Sequence, residues 1–447
     1  MRARLLPWYE CVAALLDRGH LAEPSSLVDV INEVTQQRLG VGVNVYLVDR
    51  EQMTLRPLPR GDEPDLRPQA IDSTLPGRAF TTLRVVGPAG QPNRTWIPLV
   101  DGADRLGVVE MVLPAGASAR EPPGSEGAKL LASLIGYLVV AKATYGDTIR
   151  RTRRSQPMSV GGELLWRALP PLTFASPSFS LAATLEPCYD VGGDAFDYAL
   201  DHGVLQVAIF DAVGHGLTAA LTSTLTLAAI RAQRAAGAGL ARMAAAADDA
   251  LTSQFSDSRY TTAVLAQIEE GSGAVRYVNA GHPPAVVIRQ GRVVATLDAA
   301  PRPPLGLPGK PTVVSQHYLQ PGDRLLLYTD GVVEARDAAG EFFGVPKLLD
   351  LAERHAASGV AAPEVLRRLA LAVLEHQGGG LADDSTLVIV EWSPGAGTGA
   401  VRWQRRLASG AAEGAAEGLA QDTAQNGDTA QNKAEGTPGA AEGTAGA

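Results

Sequence analysis

Residues 205–216 have the sequence LQVAIFDAVGHG, in which an apolar run ends on Asp211 and continues into a glycine-rich turn. A short apolar run bounded by turn residues is typical of a buried β-strand. A carboxylate at the end of such a strand is held rigidly near the core, where its charge is costly unless something positive compensates it. The stretch therefore predicts a strand-rich domain with an acidic side chain at a strand end.

Three further stretches place aspartates beside glycine or at a strand end. They contain Asp194 in DVGGDAFD, Asp330 in YTDG, and the pair Asp383 and Asp384 in ADDST. Each stretch alone is more often a turn or a helix cap, because aspartate is common in both. Four such places without lysine or arginine beside them indicate instead that the carboxylates converge on divalent cations.

The residue types available as ligands favour hard ions. Ligation by oxygen alone points to Mg²⁺ or Mn²⁺ rather than zinc, since Cys11 and Cys188 are isolated and no histidine cluster is present. A pair of such ions bridging a water lowers the pKa of that water and neutralises phosphoryl oxygens, which is hydrolytic phosphoryl chemistry. Glycine loops of the Walker or dinucleotide type are missing from the sequence, so ATP binding is not expected.

Length and charge limit the classes of protein further. The chain has 447 residues, more than one hydrophobic core usually supports, so at least two domains are expected. A net charge of -9 argues against nucleic acid as a partner. No apolar run approaches the ~18 residues that a membrane span requires. A cytoplasmic protein with no membrane partner is therefore expected.

The first third of the chain has a helical pattern followed by strands. Three stretches carry this order: VYLVDRE as a strand, TLPGRAF as the start of a helix, and WIPLVDGADRLGVVEMVLP as a closing hairpin. Together they resemble a GAF domain. The resemblance implies either a small-molecule ligand or a dimer contact, and the sequence does not decide between them.

Residues 125–152 carry an apolar stripe at helical spacing, which predicts one helix. The stripe consists of Leu131, Leu134, Ile135, Leu138, Ala141, Tyr145 and Ile149. Such a stripe needs an apolar partner. Two interpretations stay open: the helix packs on its own domain, or two copies pair in a homodimer.

Five stretches of the second half follow one another in a characteristic order: VGGDAFDY, FDAVGHGLTAAL, YVNAGHPPAVV, LLLYTDGVVEARDAAGEFFG and ADDSTLVIVEW. Over residues 160–392 they resemble the signature blocks of PP2C-like (PPM) phosphatases of the SpoIIE and RsbU type. The resemblance implies a sandwich of two antiparallel sheets flanked by helices, with a two-metal site at one end. It also implies removal of phosphate from serine or threonine of a regulatory protein, such as an anti-sigma factor antagonist.

The same resemblance assigns roles to single residues. Asp194 and Asp211 correspond to the central metal ligands, with the carbonyl oxygen of Ala212 beside them. Asp330 and Asp383 correspond to the remaining ligands of one ion. These four aspartates are accordingly the predicted catalytic residues, and the predicted cofactor is a pair of Mn²⁺ or Mg²⁺ ions.

Five residues in or beside these motifs receive other interpretations. Asp384 ranks second as a metal ligand, as a neighbour that orients water or the adjacent carboxylate. His215 and His282 are expected to stabilise their own turns rather than to contact substrate. Ala195 and Phe196 occupy places where aromatic residues are frequent in the family, a departure that removes no expected ligand.

The predicted architecture is α+β. It comprises a GAF-like sensor or dimerisation domain (1–120), a linker helix (121–158), a PP2C-like domain (159–393) and a disordered tail rich in Ala, Gly and Glu (394–447). Two other functions stay open. One is a catalytically weak scaffold that binds a phosphoprotein, although no expected aspartate is lost. The other is a two-metal enzyme of the nucleotide cyclase type, because GGDAF is similar to the GGDEF loop, but Ala195 replaces its acidic residue.

Overall fold

The computed structural model describes residues 2–61, 66–87, 93–102, 104–113, 126–186, 188–190, 192–255, 257, 259–309, 311–378 and 383–394. They all belong to one unit, Met1–Val401. The predicted tail lies outside the described residues from position 395 onward. Across the ranges above, no helix has the length and apolar character needed to cross a bilayer.

The N-terminal part is built around a five-stranded antiparallel sheet of order β3-β2-β1-β5-β4. Its elements are α1 (Arg2–Gly19), α2 (Leu27–Leu39), β1 (Gly42–Val48), β2 (Thr54–Pro57), β3 (Gln69–Ala70), α3 (Leu75–Thr82), β4 (Arg94–Asp101) and β5 (Asp104–Val112). Every residue of β1 is buried, because α1 and α2 cover one face of the sheet and α3 covers the other. The predicted helices and hairpins lie at these positions, and the GAF-like assignment stays an interpretation of the sequence.

The single helix predicted over residues 125–152 is wrong in its length. The structure has α4 (Glu126–Lys142) and α5 (Thr148–Thr152), separated by a turn. Thr144 and Gly146 lie in that turn, and both residue types are poor helix formers. Because these residues disfavour the helical backbone, the helix ends at Lys142 although the apolar spacing continues.

The apolar stripe of α4 packs on its own domain. Leu131, Ile135 and Leu138 are buried in the same core as residues of α1 and α2. Tyr145, which was predicted to continue the stripe, is 78% exposed because it lies in the turn beyond α4. Of the two interpretations of this stripe, the structure therefore supports the first.

The C-terminal part contains two further antiparallel sheets, of order β14-β11-β10-β9-β8 and β13-β12-β15-β16-β7-β6. Its elements are α6 (Val160–Ala168), β6 (Thr173–Ala175), β7 (Phe179–Glu186), β8 (Asp194–Asp201), β9 (Val204–Ala212), α7 (Gly216–Ala235), α8 (Leu240–Gln254), β10 (Thr261–Glu269), β11 (Ala274–Ala280), β12 (Ala285–Arg289), β13 (Arg292–Leu297), β14 (Ser315–Tyr318), β15 (Arg324–Tyr328), α9 (Asp330–Val333), α10 (Val345–Ala357), α11 (Ala362–His376) and β16 (Ser385–Trp392). One apolar core lies between the sheets, α7 and α8 cover the first sheet, and α10 and α11 cover the second. The predicted α-β-β-α sandwich is confirmed.

The side chains of β9 explain why five of the six residues from 205 to 210 are apolar. Leu205, Val207 and Ile209 point into the core between the sheets, whereas Ala208 and Phe210 pack under the helices. A strand covered on both faces has few positions for polar side chains, and the half-buried Gln206 near the start of β9 is the exception in this run. Asp211 comes directly after this run, which places its carboxylate at the edge of the buried layer.

Candidate metal centre

The predicted site residues lie at one end of the sandwich. Asp194 at the start of β8 is directly opposite Asp211 near the end of β9. Asp330 begins α9 directly after β15, and Asp383 and Asp384 precede β16, the antiparallel neighbour of β15. Asp194 and Asp384 are buried, Asp211 is half-buried, and Asp330 and Asp383 are exposed. The carboxylates therefore extend from the core to the surface.

Asp194 is the most buried of the predicted ligands. The Thr329 hydroxyl donates to its Oδ2 at 2.7 Å, and the same hydroxyl oxygen accepts from the amide of Thr386 at 2.9 Å. Burial raises the pKa of the Asp194 carboxyl well above its usual value, and the negative charges of Asp211 and Asp384 raise it further. A buried carboxylate in this state favours either a proton or a cation.

Asp384 holds the loop before β8 in place. Its Oδ1 accepts from the amide of Gly192 at 2.9 Å, and its Oδ2 accepts from the amide of Asp194 at 3.1 Å. Burial is the main reason why the pKa of this carboxyl rises to about 6. The side chain thus fixes the backbone of Asp194. That Asp384 orients water or the adjacent carboxylate stays a prediction. Its role as a metal ligand stays a prediction.

The other carboxylates repel one another. Burial raises the pKa of the Asp211 carboxyl to about 7, with further contributions from three nearby carboxylates. These belong to Asp330, Asp383 and Asp384. The pKa of Asp330 is raised as well, by burial and by the charge of Asp383. Negative charge is therefore concentrated here without a compensating cation.

The donor set fits divalent cations by its chemistry and charge. It consists of oxygen atoms alone, from the carboxylates and from the Ala212 carbonyl, and these are the ligands that Mg²⁺ and Mn²⁺ prefer. In the described part of the chain, however, no group of three or more acidic, histidine or cysteine side chains already has the arrangement that would hold an ion.

A close backbone approach joins the residue before β8 to the end of β9. A Cβ atom on Gly193 would lie 2.1 Å from the carbonyl oxygen of Ala212, so only glycine fits. The amide of Ala212 donates to the Gly193 carbonyl oxygen at 3.1 Å, and the Ser223 hydroxyl of α7 donates to the same oxygen. These contacts fix the backbone of Ala212, whose carbonyl oxygen stays a predicted ligand.

Sequence reasoning did not identify Thr329 as a residue of the site, and it expected His215 to stabilise its own turn. Thr329 lies in the quoted motif YTDG, and a hydroxyl beside a strand-end aspartate was the available signal. His215 is exposed at the N-cap of α7 and its side chain makes no capping hydrogen bond. Ala195 and Phe196, beside the predicted ligand Asp194, are buried core side chains.

Comparison with known proteins identifies the class of the C-terminal domain. Residues 201–393 match the family model described as Stage II sporulation protein E (SpoIIE). This part of the chain is a PP2C-like domain of the SpoIIE type.

The chain is similar to two curated phosphoserine phosphatases and to one solved structure. The chain is 29% identical over 211 residues to the phosphoserine phosphatase RsbP of Bacillus subtilis, covering 45% of this chain and 49% of RsbP. It is 25% identical over 222 residues to the phosphoserine phosphatase RsbU of that organism, covering 48% and 63%. The solved RsbU and RsbW domains of a Mycobacterium tuberculosis protein are 27% identical, with a TM-score of 0.43, over 49% of this chain and 62% of that one. The chain thus spans 49% to 63% of the length of these curated relatives.

Proposed function

We propose that this chain is a metal-dependent protein serine/threonine phosphatase controlled by its N-terminal part. The observation that carries the proposal is the concentration of carboxylates around Asp194 and Asp211, with raised pKa values and no compensating basic side chain among their main neighbours. A site of this kind at the end of a SpoIIE-type sandwich supports phosphoryl hydrolysis.

The proposed ligands are the predicted ones. Asp194, Asp211 and the Ala212 carbonyl oxygen would hold the central positions, and Asp330 and Asp383 would complete them. When bound, Mn²⁺ or Mg²⁺ would lower the pKa of a water and neutralise phosphoryl oxygens. The chain itself holds its carboxylates in position: the Thr329 hydroxyl orients Asp194, and Asp384 fixes the backbone on which Asp194 is carried.

The proposed substrate is a phosphorylated regulatory protein of the anti-sigma factor antagonist type. Support comes from the relatives RsbP and RsbU, both named phosphoserine phosphatases. The exposed positions of Asp330 and Asp383 agree with a protein-bound phosphoserine, which must reach the ions from the surface. The competing function is a scaffold that binds the phosphoprotein without hydrolysing it. The assay in the next paragraph distinguishes the two functions.

The purified full chain is expected to hydrolyse an aryl phosphate and a phosphoserine protein when Mn²⁺ or Mg²⁺ is present. EDTA should abolish the activity and added Mn²⁺ should restore it, because the carboxylates alone have no electrophile to offer the phosphate. Initial rates across a metal titration measure this. Binding of the phosphoprotein without release of phosphate would favour the scaffold, and the absence of both would refute the proposal.

Control by the N-terminal part is supported by an ion-pair cluster, the α11 clamp, formed by the exposed Asp72 and the buried Arg105, Glu364 and Arg367. Arg105 of β5 lies 3.5 Å from Glu364 of α11 and donates to the Pro363 carbonyl oxygen at 3.2 Å. Arg367 of α11 donates to Asp72 at 2.7 Å and to Glu364 at 3.0 Å. Arg105, Glu364 and Arg367 are buried.

The α11 clamp connects the N-terminal sheet to the candidate metal centre by a short path. α11 packs on β7 and β16, and β16 begins directly after Asp384. A displacement of the N-terminal part would therefore act on a helix that supports two carboxylates of the site. We propose that this contact transmits the regulatory signal, whether a small-molecule ligand or another input acts on the N-terminal part.

Asp72→Lys is expected to weaken the α11 clamp and to change the phosphatase rate. The pair with Arg367 contributes at most about 1 kcal/mol itself, since the Asp72 side chain is 60% exposed. A larger effect is expected because the introduced lysine places a second positive charge beside the buried Arg367 guanidinium. Hydrogen exchange of α11 and the specific activity measure the effect, with Asp201→Lys at the exposed end of β8 as the matched charge change. Identical exchange and activity in both variants would contradict the proposed contact.

The exposed faces of α1 and α4 support the proposal of a homodimer. The two helices pack on each other and expose large apolar side chains on their outer faces. These are Leu6, Tyr9, Leu16, Leu130, Tyr137 and Val140. A second copy of this surface would cover them. A monomeric mass by light scattering at micromolar concentration would contradict this assignment.

A further inference from the structure

The His282 ring connects the two sheets of the sandwich beside the candidate metal centre. His282 follows β11 and is 5% exposed. Its Nδ1 lies 2.7 Å from Oγ1 of Thr262 in β10, and its Nε2 lies 3.1 Å from the carbonyl oxygen of Tyr328 at the end of β15. β10 and β15 belong to different sheets. One buried side chain thus spans both halves of the fold.

The hydrogen-bond partners determine the tautomer of this ring. A carbonyl oxygen can only accept, so Nε2 carries the proton and donates it to Tyr328. Nδ1 of the neutral ring is then the acceptor, and the Thr262 hydroxyl is its donor. Burial lowers the pKa of His282 to about 3, so the ring stays neutral at ordinary pH. Both hydrogen bonds therefore have a fixed direction.

Both ends of the connection reach residues of the site. Thr262 is the register partner of Asp211 across the β9 and β10 pair. Tyr328 immediately precedes Thr329, whose hydroxyl donates to Asp194, and Thr329 precedes Asp330. A displacement of either partner of the ring would therefore be passed on to carboxylates from both sheets.

The turn that carries His282 does not need the ring for its order. Asn279 accepts from the His282 amide at 2.9 Å and donates to the His282 carbonyl oxygen at 2.8 Å. These bonds close the turn through the backbone of His282. The side chain of Asn279, rather than the His282 ring expected from the sequence, therefore orders this turn. The ring makes separate contacts.

The geometry points to His282 as a positioning residue, which fixes the separation between Asp211 near the end of β9 and Asp330 at the start of α9. It acts through Thr262 and the Tyr328 carbonyl and contacts neither substrate nor ion. Groups that support metal ligands in this way typically change metal affinity or activity by about 10- to 100-fold when removed. The inference rests on the proposed metal-dependent function.

Thr262→Val and Thr262→Ser test the connection from one end. Valine keeps the shape and removes the hydroxyl donor, and serine keeps the donor. We expect Thr262→Val to raise the free Mn²⁺ concentration at half-saturation by about 10-fold or more, and Thr262→Ser to restore most of the affinity. The readout is Mn²⁺ binding to the full chain by electron paramagnetic resonance, accompanied by kcat and KM for an aryl phosphate.

His282→Gln and His282→Asn test the ring itself. The glutamine amide can still donate to Tyr328 and the asparagine side chain can reach only Thr262, so each variant loses one end of the connection. Both are expected to weaken Mn²⁺ binding and to lower kcat more than they raise KM. A merely structural role would lower the melting temperature without changing the Mn²⁺ titration, and that result would overturn the inference.

The wild-type chain separates this inference from the proposed function. If wild type neither binds Mn²⁺ nor hydrolyses the aryl phosphate, the proposed function fails, and the positioning role fails with it. If wild type does both, and Thr262→Val and His282→Gln bind Mn²⁺ with the affinity of wild type, the positioning role alone is refuted. Weakened titration in these two variants, with recovery in Thr262→Ser, supports it.

Discussion

Asp211→Asn is expected to lower the Mn²⁺-dependent turnover number by more than the roughly 100-fold that loss of a supporting residue can cause. Asp211 lies opposite Asp194 and interacts with Asp330, Asp383 and Asp384, so its carboxylate is the common member of the cluster. Asparagine keeps the shape and removes the charge that two cations would share. Steady-state kinetics with an aryl phosphate measures the loss.

The same substitution is expected to stabilise the metal-free protein at neutral to alkaline pH. The pKa of Asp211 is raised from 3.8 to about 7, so the folded state holds this proton more tightly than the unfolded chain does. The contribution of this group to the free energy of unfolding is fully present at low pH and is lost as the pH rises through about 7. The loss amounts to at most about 4 kcal/mol. The asparagine side chain does not ionise in this pH range. The melting temperature of the Asp211→Asn variant in EDTA should therefore fall less than that of wild type as the pH rises.

The control for both effects is Asp201→Asn, a matched change at the exposed far end of the same hairpin. It should leave turnover and the pH dependence of the melting temperature as in wild type. Wild-type turnover in Asp211→Asn would refute the assignment of this ligand. Identical melting curves of Asp211→Asn and wild type in EDTA at about pH 8 would show that the carboxyl is not destabilised by burial.

Local sequence was sufficient to predict where the carboxylates occur along the chain. Asp211 and Asp330 each follow an apolar strand directly, and strand ends are determined by neighbouring residues. The sandwich itself followed from a resemblance of ordered motifs. The α4 and α5 break shows the limit of periodicity, because the apolar spacing continues through Tyr145 while the backbone at Gly146 leaves the helix.

The supporting contacts could not be predicted, because they join residues far apart in sequence. The hydroxyl of Thr329 reaches a carboxylate 135 positions away, and the Asp384 carboxylate binds amides 192 and 190 positions away. The salt bridge between Asp72 and Arg367 spans 295 positions. Such pairs depend on sheet register and on domain docking, which a single sequence does not encode in a local pattern.

Gly331→Ala is expected to disrupt the site by steric conflict rather than by loss of a ligand. A Cβ atom on Gly331 would lie 1.8 Å from the carbonyl oxygen of Asp384. This backbone cannot easily retreat, because the Asp384 carboxylate is bonded to two amides and the next strand is bonded to Thr329. Either α9 or the start of β16 must therefore move, and Asp330 and Asp383 would separate.

The expected result is a loss of turnover comparable to that of Asp211→Asn, together with destabilisation of about 1–3 kcal/mol from overpacking. Gly271→Ala is the matched control, since a Cβ there meets nothing within 4 Å. Thermal melting and steady-state kinetics of the two variants separate the effects. Activity of Gly331→Ala equal to that of Gly271→Ala would mean that the close contact between α9 and the Asp384 backbone is not needed to hold Asp330 and Asp383 together.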